Sequence, residues 1–295
     1  MYSVFDASEV FYKVNKSVQE LAPLLSKHGI GGINPPAALL SDPKKAREAA
    51  KCVYGNGLKW SLLPTPADFL APGTTDEMFD EALKTLIVWA ETGEKIGVRY
   101  AYNHIFPGHN ERQYNENFDW HVKRIRQVNK IMSNCGIRYG LEFLGPWDLR
   151  NSFKYPFVHT ISGALAIADA AGKDVGFLFD TFHWYCGSYD PDDLYLAARY
   201  SDRMVCFHMN DGAAGKTREE QLDMTREMPM TTGVIDSLLP YRMFRESGYT
   251  GPMLLEPLFP VYGRFLKMEA EDVVAEVAQT YARMEELANK KERRA

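Results

Sequence analysis

Short apolar runs alternate with amphipathic segments about eight times along the chain. The runs are rich in β-branched and aromatic residues, and turn or helix signals bound them, which is typical of buried parallel strands. The intervening segments repeat apolar residues at helical spacing, and Asp42-Pro43 and Asp190-Pro191 mark two helix starts. This alternation predicts parallel strands joined by right-handed helical crossovers.

The predicted elements cover nearly the whole chain. Strands are predicted at residues 2–5, 29–34, 58–64, 98–106, 137–143, 175–180, 203–208 and 252–256. Helices are predicted at 18–28, 41–52, 74–95, 118–134, 160–172, from 190 onward, at 235–246 and at 269–288. Eight such units in 295 residues predict an α/β fold, a single-domain (β/α)8 TIM barrel over residues 1–295. No GxGxxG follows the early strands and no GxxxxGK[ST] occurs, which disfavours nucleotide-binding open sheets.

Four of the later strands each end at or near a side chain that can ligate a metal. These side chains are Glu142, Asp180, His208 and Glu256. Because the carboxyl ends of barrel strands meet at one mouth, we expect the four side chains to converge there. The alternative is that the carboxylates cap neighbouring helices or form ion pairs at the rim of the barrel.

Three carboxylates and one imidazole, without a thiolate, favour a divalent metal. One Mn²⁺ ion is the expected cofactor, with Mg²⁺, Co²⁺ and Zn²⁺ as alternatives. A metal with open positions can polarise a substrate carbonyl and stabilise an enediolate formed beside it. Glu142 and Glu256 come from separate strands and are the candidate pair that removes and returns the proton.

Several further residues are predicted to contact a substrate at the same mouth. His183 follows Asp180 by three positions, and His104 ends the fourth strand. Trp147 and Trp184 are candidates for an apolar wall under the carbon face of a sugar. Core packing explains these aromatic residues equally well, and His183 also fits a histidine packed under aromatic rings.

The connection after His208 is unusually long. Residues 211–233 exceed the length of an ordinary connection, so a lid over the substrate is favoured over a passive excursion. Arg226 is the cation in this lid chosen for an anionic or polyhydroxylated substrate. Asn210 and Asp211 are expected to orient His208, and Asp211 is also counted among the substrate-binding residues.

Composition narrows the classes of function. A formal net charge of −5 argues against broad binding to nucleic acid or anionic membranes. The four cysteines are scattered without a CxxC, which fits free thiols in a reducing compartment. No signal peptide and no apolar run long enough to span a membrane are recognised. We therefore expect a cytoplasmic protein.

The segments GLEFLGP, LFDTFHW, VCFHMND and LLEP, in this order, resemble the xylose isomerase-like TIM barrel superfamily, the sugar phosphate isomerase/epimerase group. The resemblance implies that Glu142, Asp180, His208 and Glu256 are the metal ligands. It also implies that Glu142 and Glu256 form the acid/base pair of ketose epimerases, and that His183 lies beside the substrate. Ketose 3-epimerases carry an arginine soon after the histidine; here the candidates are Arg218 and Arg226.

These observations predict a divalent-metal-dependent isomerase or epimerase of a sugar or related polyol ketone. The alternative is a lyase or dehydratase that acts on a keto-inositol or a 3-oxo-glycoside by β-elimination. A non-catalytic sugar-binding barrel subunit is a third hypothesis. A DNA-repair endonuclease is disfavoured, because the endonuclease IV branch has a later Asp-x-His pair and no histidine follows His208. A homo-oligomer is a family-level expectation.

Overall fold

Eight parallel strands surround the centre of the molecule. The computed structural model describes residues 1–8 and 10–292. The strands lie at Tyr2–Phe5 (β1), Gly32–Ile33 (β2), Lys59–Trp60 with Leu62–Leu63 (β3), Tyr100–Ile105 (β4), Arg138–Phe143 (β5), Gly176–Asp180 (β6), Met204–Met209 (β7) and Pro252–Leu255 (β8).

The sheet closes on itself through β3, which is interrupted at Ser61. The first half of β3 pairs with β2, with Gly32 opposite Lys59, and the second half pairs with β4, with Leu62 opposite Tyr100. The remaining strands pair in parallel in chain order, and β8 returns to β1. The predicted TIM barrel is confirmed.

Long helices cover the outside of the barrel. They lie at Val18–Lys27 (α1), Pro43–Gly55 (α2), Asp76–Ile96 (α3), Tyr114–Asn134 (α4), Ile161–Ala171 (α5), Pro191–Arg199 (α6), Leu238–Glu246 (α7) and Ala270–Glu292 (α8). Side chains cap several of these helices as the sequence predicts, since Asp42, Thr75 and Asp190 each accept hydrogen bonds from first-turn amides. Shorter helices lie at Ala37–Leu40, Trp147–Arg150, Thr181–Gly187 and Val261–Phe265.

Two predicted helix starts were wrong by three residues or more. Helix α4 begins at Tyr114, four residues before the predicted start, because its first turn carries no apolar periodicity that would reveal it. Helix α7 begins at Leu238 rather than at residue 235. Among the helices of the described part of the chain, none combines the length and the apolar composition that crossing a bilayer would need.

The long connection after β7 contains regular structure, which the sequence did not predict. It holds a 3₁₀ turn at Arg218–Glu220 and a short strand at Thr225–Arg226. That strand pairs in parallel with Phe259–Pro260, just after β8. The connection is therefore attached to the carboxyl-terminal face of the barrel, beside the mouth.

Strand alternation decides which side chains face the inside of the barrel. Phe177 and Phe179 of β6 lie buried in the large core between sheet and helices. Leu178 belongs to a separate buried cluster with Val4 and Leu254, in the barrel interior. Because side chains alternate between the two faces, Asp180 points to the same side as Leu178.

Candidate metal centre

Four side chains converge at the carboxyl end of the barrel. Glu142 is the penultimate residue of β5, Asp180 ends β6, His208 lies near the end of β7, and Glu256 directly follows β8. One ligand atom from each lies within 4.8 Å of all the others. Glu142, Asp180 and His208 are at most 1% exposed, and the Glu256 side chain is 17% exposed.

The Nδ1 atom of His208 faces all three carboxylates. It lies 3.2 Å from Glu256 Oε1, 3.6 Å from Glu142 Oε1 and 3.8 Å from Asp180 Oδ2. Ligands of one Zn²⁺ or Mg²⁺ ion lie about 2.0–2.2 Å from it, so two ligands of one ion are separated by roughly 3–4 Å. The observed separations match that spacing.

Two of the four ligand atoms are left without other partners. Glu142 Oε1 and His208 Nδ1 are buried and form no hydrogen bond within the described residues. Buried polar atoms without a partner are costly, so such atoms need an explanation in a native structure. A divalent cation held by this oxygen-rich set provides one, and the four residues fit the predicted metal.

Arg226 lies inside the site, whereas the sequence prediction placed it in a lid as a cation for the substrate. The residue is 3% exposed, and Nη1 donates to Glu256 Oε2 at 2.5 Å and to Asp180 Oδ2 at 3.2 Å. Nη2 donates to Asp223 Oδ1 at 2.8 Å. Because three carboxylates already surround it, the main effect of Arg226 is to offset the negative charge of the site.

The crowded charges shift the pKa values of the acids in opposite directions. Burial raises the pKa of Asp180 to about 7, with Glu256 and Glu142 adding to the rise and Arg226 opposing it. Burial would also raise the pKa of Glu256, but His208 and Arg226 outweigh burial and hold that pKa below its usual range. Glu256 is therefore ionised at neutral pH.

One of the four residues, Asp180, also caps a helix, which was the alternative interpretation of the strand-end carboxylates. Asp180 Oδ1 accepts from the amides of Phe182 and His183, at 2.6 and 3.0 Å, and so caps the helix Thr181–Gly187. Asp180 Oδ2 is the oxygen that faces His208. One carboxylate thus starts a helix and points its second oxygen into the site.

The residues after His208 have other roles than the predicted ones. Asn210 donates to Asp180, at 3.0 Å to Oδ2, and accepts from Thr181, so it orients Asp180 rather than His208. Asp211 is fully buried and accepts hydrogen bonds from four backbone amides of its own loop. These amides belong to Gly212, Thr232, Gly233 and Ile235. Because its oxygens are buried and already accept these hydrogen bonds, Asp211 holds the loop, and it lies outside the cavity lining.

His183 lies beside the four converging side chains, at the mouth where the sequence predicted a substrate contact. Its Nε2 lies 3.2 Å from Arg226 Nη2 and 3.8 Å from Glu142 Oε1. Burial and the adjacent Arg226 lower the pKa of His183 well below its ordinary value, so the ring is neutral. Gly145 allows the close approach of its loop, because a Cβ there would lie 2.0 Å from the His183 carbonyl oxygen.

His104 reaches the site from β4. Its Nε2 lies 3.3 Å from Glu142 Oε2, and its Nδ1 lies 2.7 Å from Asp68 Oδ2. Burial opposes protonation, but hydrogen bonds to Asp68 and Glu142 outweigh burial and raise the pKa of His104 well above its ordinary value. The imidazolium therefore connects two carboxylates, one of them a predicted metal ligand.

A cavity of about 350 Å³ opens over these groups. Besides Glu142, Glu256, His104, His183 and Arg226, its lining includes Asp6, Tyr102, Phe106, Leu144, Leu149, Asp223, Met224 and Leu258. Sequence reasoning missed Asp6, Asp68 and Asp223. Asp6 directly follows β1 and carried the same strand-end signal as Asp180, whereas Asp68 and Asp223 lie in loops without such a signal.

The two tryptophans that were predicted to form a substrate wall do not line the cavity. Trp184 is buried in the core against Phe179, and its indole N–H donates to the Asp190 carbonyl oxygen at 3.0 Å. The helix that Asp180 caps turns Trp184 away from the mouth, so its prediction as a substrate wall was wrong. Trp147 is 41% exposed on the short helix Trp147–Arg150 and lies outside the cavity lining.

One protein family matches most of this chain. A sequence model of the xylose isomerase-like TIM barrel matches residues 16–282. The chain belongs to this family. The family resemblance predicted from the four strand-end segments is therefore confirmed. No curated protein sequence matches the chain.

Several solved structures share the fold of the chain. A xylose isomerase domain protein from Alicyclobacillus acidocaldarius is 24% identical with a TM-score of 0.79, covering 98% of this chain and 99% of that one. The IOLI protein with a zinc atom is 18% identical (TM-score 0.71; coverage 98% and 99%). D-psicose 3-epimerase from Clostridium cellulolyticum H10, solved with D-tagatose, is 15% identical (TM-score 0.70; coverage 96% and 98%).

Proposed function

We propose that the protein is a divalent-metal-dependent isomerase or epimerase of a sugar or related polyol ketone. The observation that carries the proposal is the convergence of Glu142, Asp180, His208 and Glu256 within 4.8 Å at the mouth of the barrel. A xylose isomerase-like family and a structural neighbour that is a sugar epimerase support the same class of reaction. A small carbohydrate is the proposed substrate.

The four residues would hold one divalent cation, for which we propose Mn²⁺. Oxygen-rich sets suit Mn²⁺ and Mg²⁺, and one imidazole also suits Zn²⁺ and Co²⁺. When bound, such an ion supplies Lewis-acid polarisation of a substrate carbonyl. The protein contributes the ligands and the neighbouring proton-transfer groups.

Glu142 and Glu256 are the proposed acid/base pair. One carboxylate takes the proton from the carbon beside the substrate carbonyl, and the C–H electron pair enters an enediolate. The second glutamate, from a different strand, returns a proton to the opposite face of that carbon or to its neighbour. The first outcome is an epimer and the second is an isomer.

His104, His183 and Arg226 would support this transfer. His104 is positioned to donate to Glu142 Oε2, and Arg226 holds Glu256 Oε2 at 2.5 Å. Each glutamate therefore keeps its Oε2 on a basic partner and its Oε1 toward His208 Nδ1. Held carboxylates lose less freedom on binding and are better oriented for the transfer.

A lyase acting on a keto-inositol or a 3-oxo-glycoside is the second candidate. It shares the first proton abstraction, after which the electron pair expels a group from the β-carbon instead of recovering a proton. The apolar part of the cavity, with Leu149, Met224 and Leu258, favours this candidate because it provides room for a leaving group.

Metal analysis with product analysis tests the proposal. The protein would be loaded with Mn²⁺, assayed for bound metal, and incubated with ketoses, keto-inositols and 3-oxo-glycosides. We expect about one ion per chain and an isomeric product, and the double variant Asp180→Asn/His208→Ala should lose both. An unchanged metal content in the folded double variant would contradict the site. Elimination products would select the lyase.

A further inference from the structure

The lining of the cavity is divided into a polar floor and an apolar rim. The floor holds Glu142, Glu256, His104 and His183. The apolar part of the lining includes Leu149, Met224 and Leu258, of which Met224 belongs to the long connection after β7. A sugar ring needs hydrogen-bonding partners around its hydroxyl groups, and these three side chains offer none.

The apolar rim continues out of the cavity onto the surface. Met224 lines the cavity and is 57% exposed, and its carbonyl oxygen accepts from the amide of Phe259, whose side chain is also exposed. On the other side, the amide of Asp223 donates to Asp148 at 3.3 Å, which ties the connection to the short helix Trp147–Arg150. We define the apolar collar as Leu149, Met224, Leu258 and Phe259.

The described side chains around the cavity offer no free cation to an anionic ligand. Within the described lining, the carboxylates are Asp6, Glu142, Asp223 and Glu256, and the basic groups are Arg226 and two imidazoles. Arg226 already bridges three carboxylates. His104 is shared between Asp68 and Glu142. No basic side chain of this lining is thus left to pair with a phosphate.

We infer that the substrate is an uncharged sugar derivative with an apolar substituent, such as the aglycone of a glycoside, that packs on the apolar collar. Its sugar part would bind at the floor, and its apolar part would be buried against the collar, out of contact with water. Burial of an aromatic ring there contributes to affinity in proportion to the apolar area removed from water. This inference rests on the proposed function for the carbohydrate nature of the ligand.

Binding of matched glycosides tests the inference without turnover. Methyl and phenyl glycosides of glucose, galactose and xylose, which lack a ketone, would be titrated into the Mn²⁺-loaded protein by calorimetry. We expect each phenyl glycoside that binds to do so about tenfold tighter than its methyl counterpart. Glucose 6-phosphate and galactose 6-phosphate should bind more weakly than glucose and galactose.

A pair of exposed methionines supplies the variant and its control. Met224→Ser should remove most of the phenyl preference, whereas Met78→Ser should keep it, because Met78 is 54% exposed on α3, away from the cavity lining. Equal binding of methyl and phenyl glycosides, no binding by any phenyl glycoside up to its solubility limit, or tighter binding of the phosphates would overturn the inference.

The outcome is separable from that of the proposed function. A phenyl preference that Met224→Ser removes, in a protein that converts none of the ketones, would support the collar while contradicting the isomerase. Isomerisation of free ketoses without any phenyl preference would support the isomerase while overturning the collar.

Discussion

Asp68 Oδ2 lies 2.7 Å from His104 Nδ1, and the opposite ring nitrogen of His104 lies 3.3 Å from Glu142 Oε2. Asp68 follows β3, while His104 belongs to β4 and Glu142 to β5, so three successive strands of the barrel build this chain of contacts. Asp68 does not touch the ligand cluster. Its effect on Glu142 passes through the orientation of the imidazole ring.

Asp68→Asn should lower kcat about ten- to a hundredfold with little change in KM. Loss of a residue that orients a side chain of a metal site usually lowers activity by that factor. The amide keeps the size of the carboxylate but loses the charge that fixes the His104 ring. Steady-state kinetics on the substrate found by product analysis would measure the change. Metal content should stay at the wild-type level.

Asp169→Asn is the matched control for Asp68→Asn. Asp169 pairs with Arg203 on the exterior of the barrel, with a side chain that is 65% exposed. The Asp169→Asn substitution should leave kcat unchanged. If Asp68→Asn retained full kcat, or if it lost metal and activity together, the assignment of Asp68 as a positioning residue would be wrong.

Asp211→Ala should destabilise the protein by about 3 kcal/mol, because it leaves several buried amides without an acceptor. Asp211 accepts from four amides of the connection that carries Arg226 and Asp223. The change in the free energy of unfolding would be measured by urea denaturation. Activity should also fall, since the same connection delivers Arg226 to the site.

Asp236→Ala provides the comparison for Asp211→Ala. Asp236 is exposed and accepts from only two amides, those of Leu238 and Leu239 at the start of α7. Its loss should cost about 1 kcal/mol, the usual effect of losing a helix cap. Equal losses for the two variants would show that Asp211 does not organise the connection.

Because of His121, the free energy of unfolding should be smaller in mild acid than at neutral pH. It is buried in α4, where its Nδ1 donates to the Asn117 carbonyl oxygen at 2.7 Å. Burial lowers the pKa of His121 to about 3. The unfolded chain binds a proton below a pKa of about 6.5, so stability falls between that pH and about 3.

The size of this effect follows from the two pKa values. Between pH 8 and pH 5, the loss from His121 should be about 2 kcal/mol. Urea denaturation at both pH values would measure it in the wild type and in His121→Gln, which keeps a donor for the Asn117 oxygen. The variant should lose about 2 kcal/mol less over this interval. An identical loss in both proteins would rule out His121 as the source.

The barrel and the four converging side chains were predictable from sequence because strand periodicity and strand ends are local features. A run such as VGFLFD shows both the buried strand and the polar residue that ends it. Asp6 in YSVFD offered the same signal and was missed, because its strand is only four residues long.

The direction of side chains beyond the strand ends was not predictable. Trp184 and His183 are adjacent in sequence, yet the helix capped by Asp180 sends one into the core and the other into the site. Arg226 reaches the site only because its short strand pairs with Phe259–Pro260, a long-range contact that no local pattern reveals. Lid motion, homo-oligomerisation and a cytoplasmic location stay predictions.

Solvent exchange measures the proposed proton transfer most directly. The Mn²⁺-loaded protein would be incubated in D₂O with the ketone that it converts, and deuterium at the carbon beside the carbonyl would be followed by NMR. We expect incorporation by the wild type and by Glu81→Gln, an exposed control on α3. Glu142→Gln should reduce incorporation at least about a hundredfold with its metal retained. Undiminished exchange in metal-bound Glu142→Gln, or product formation by the wild type without any deuterium, would contradict the glutamate pair.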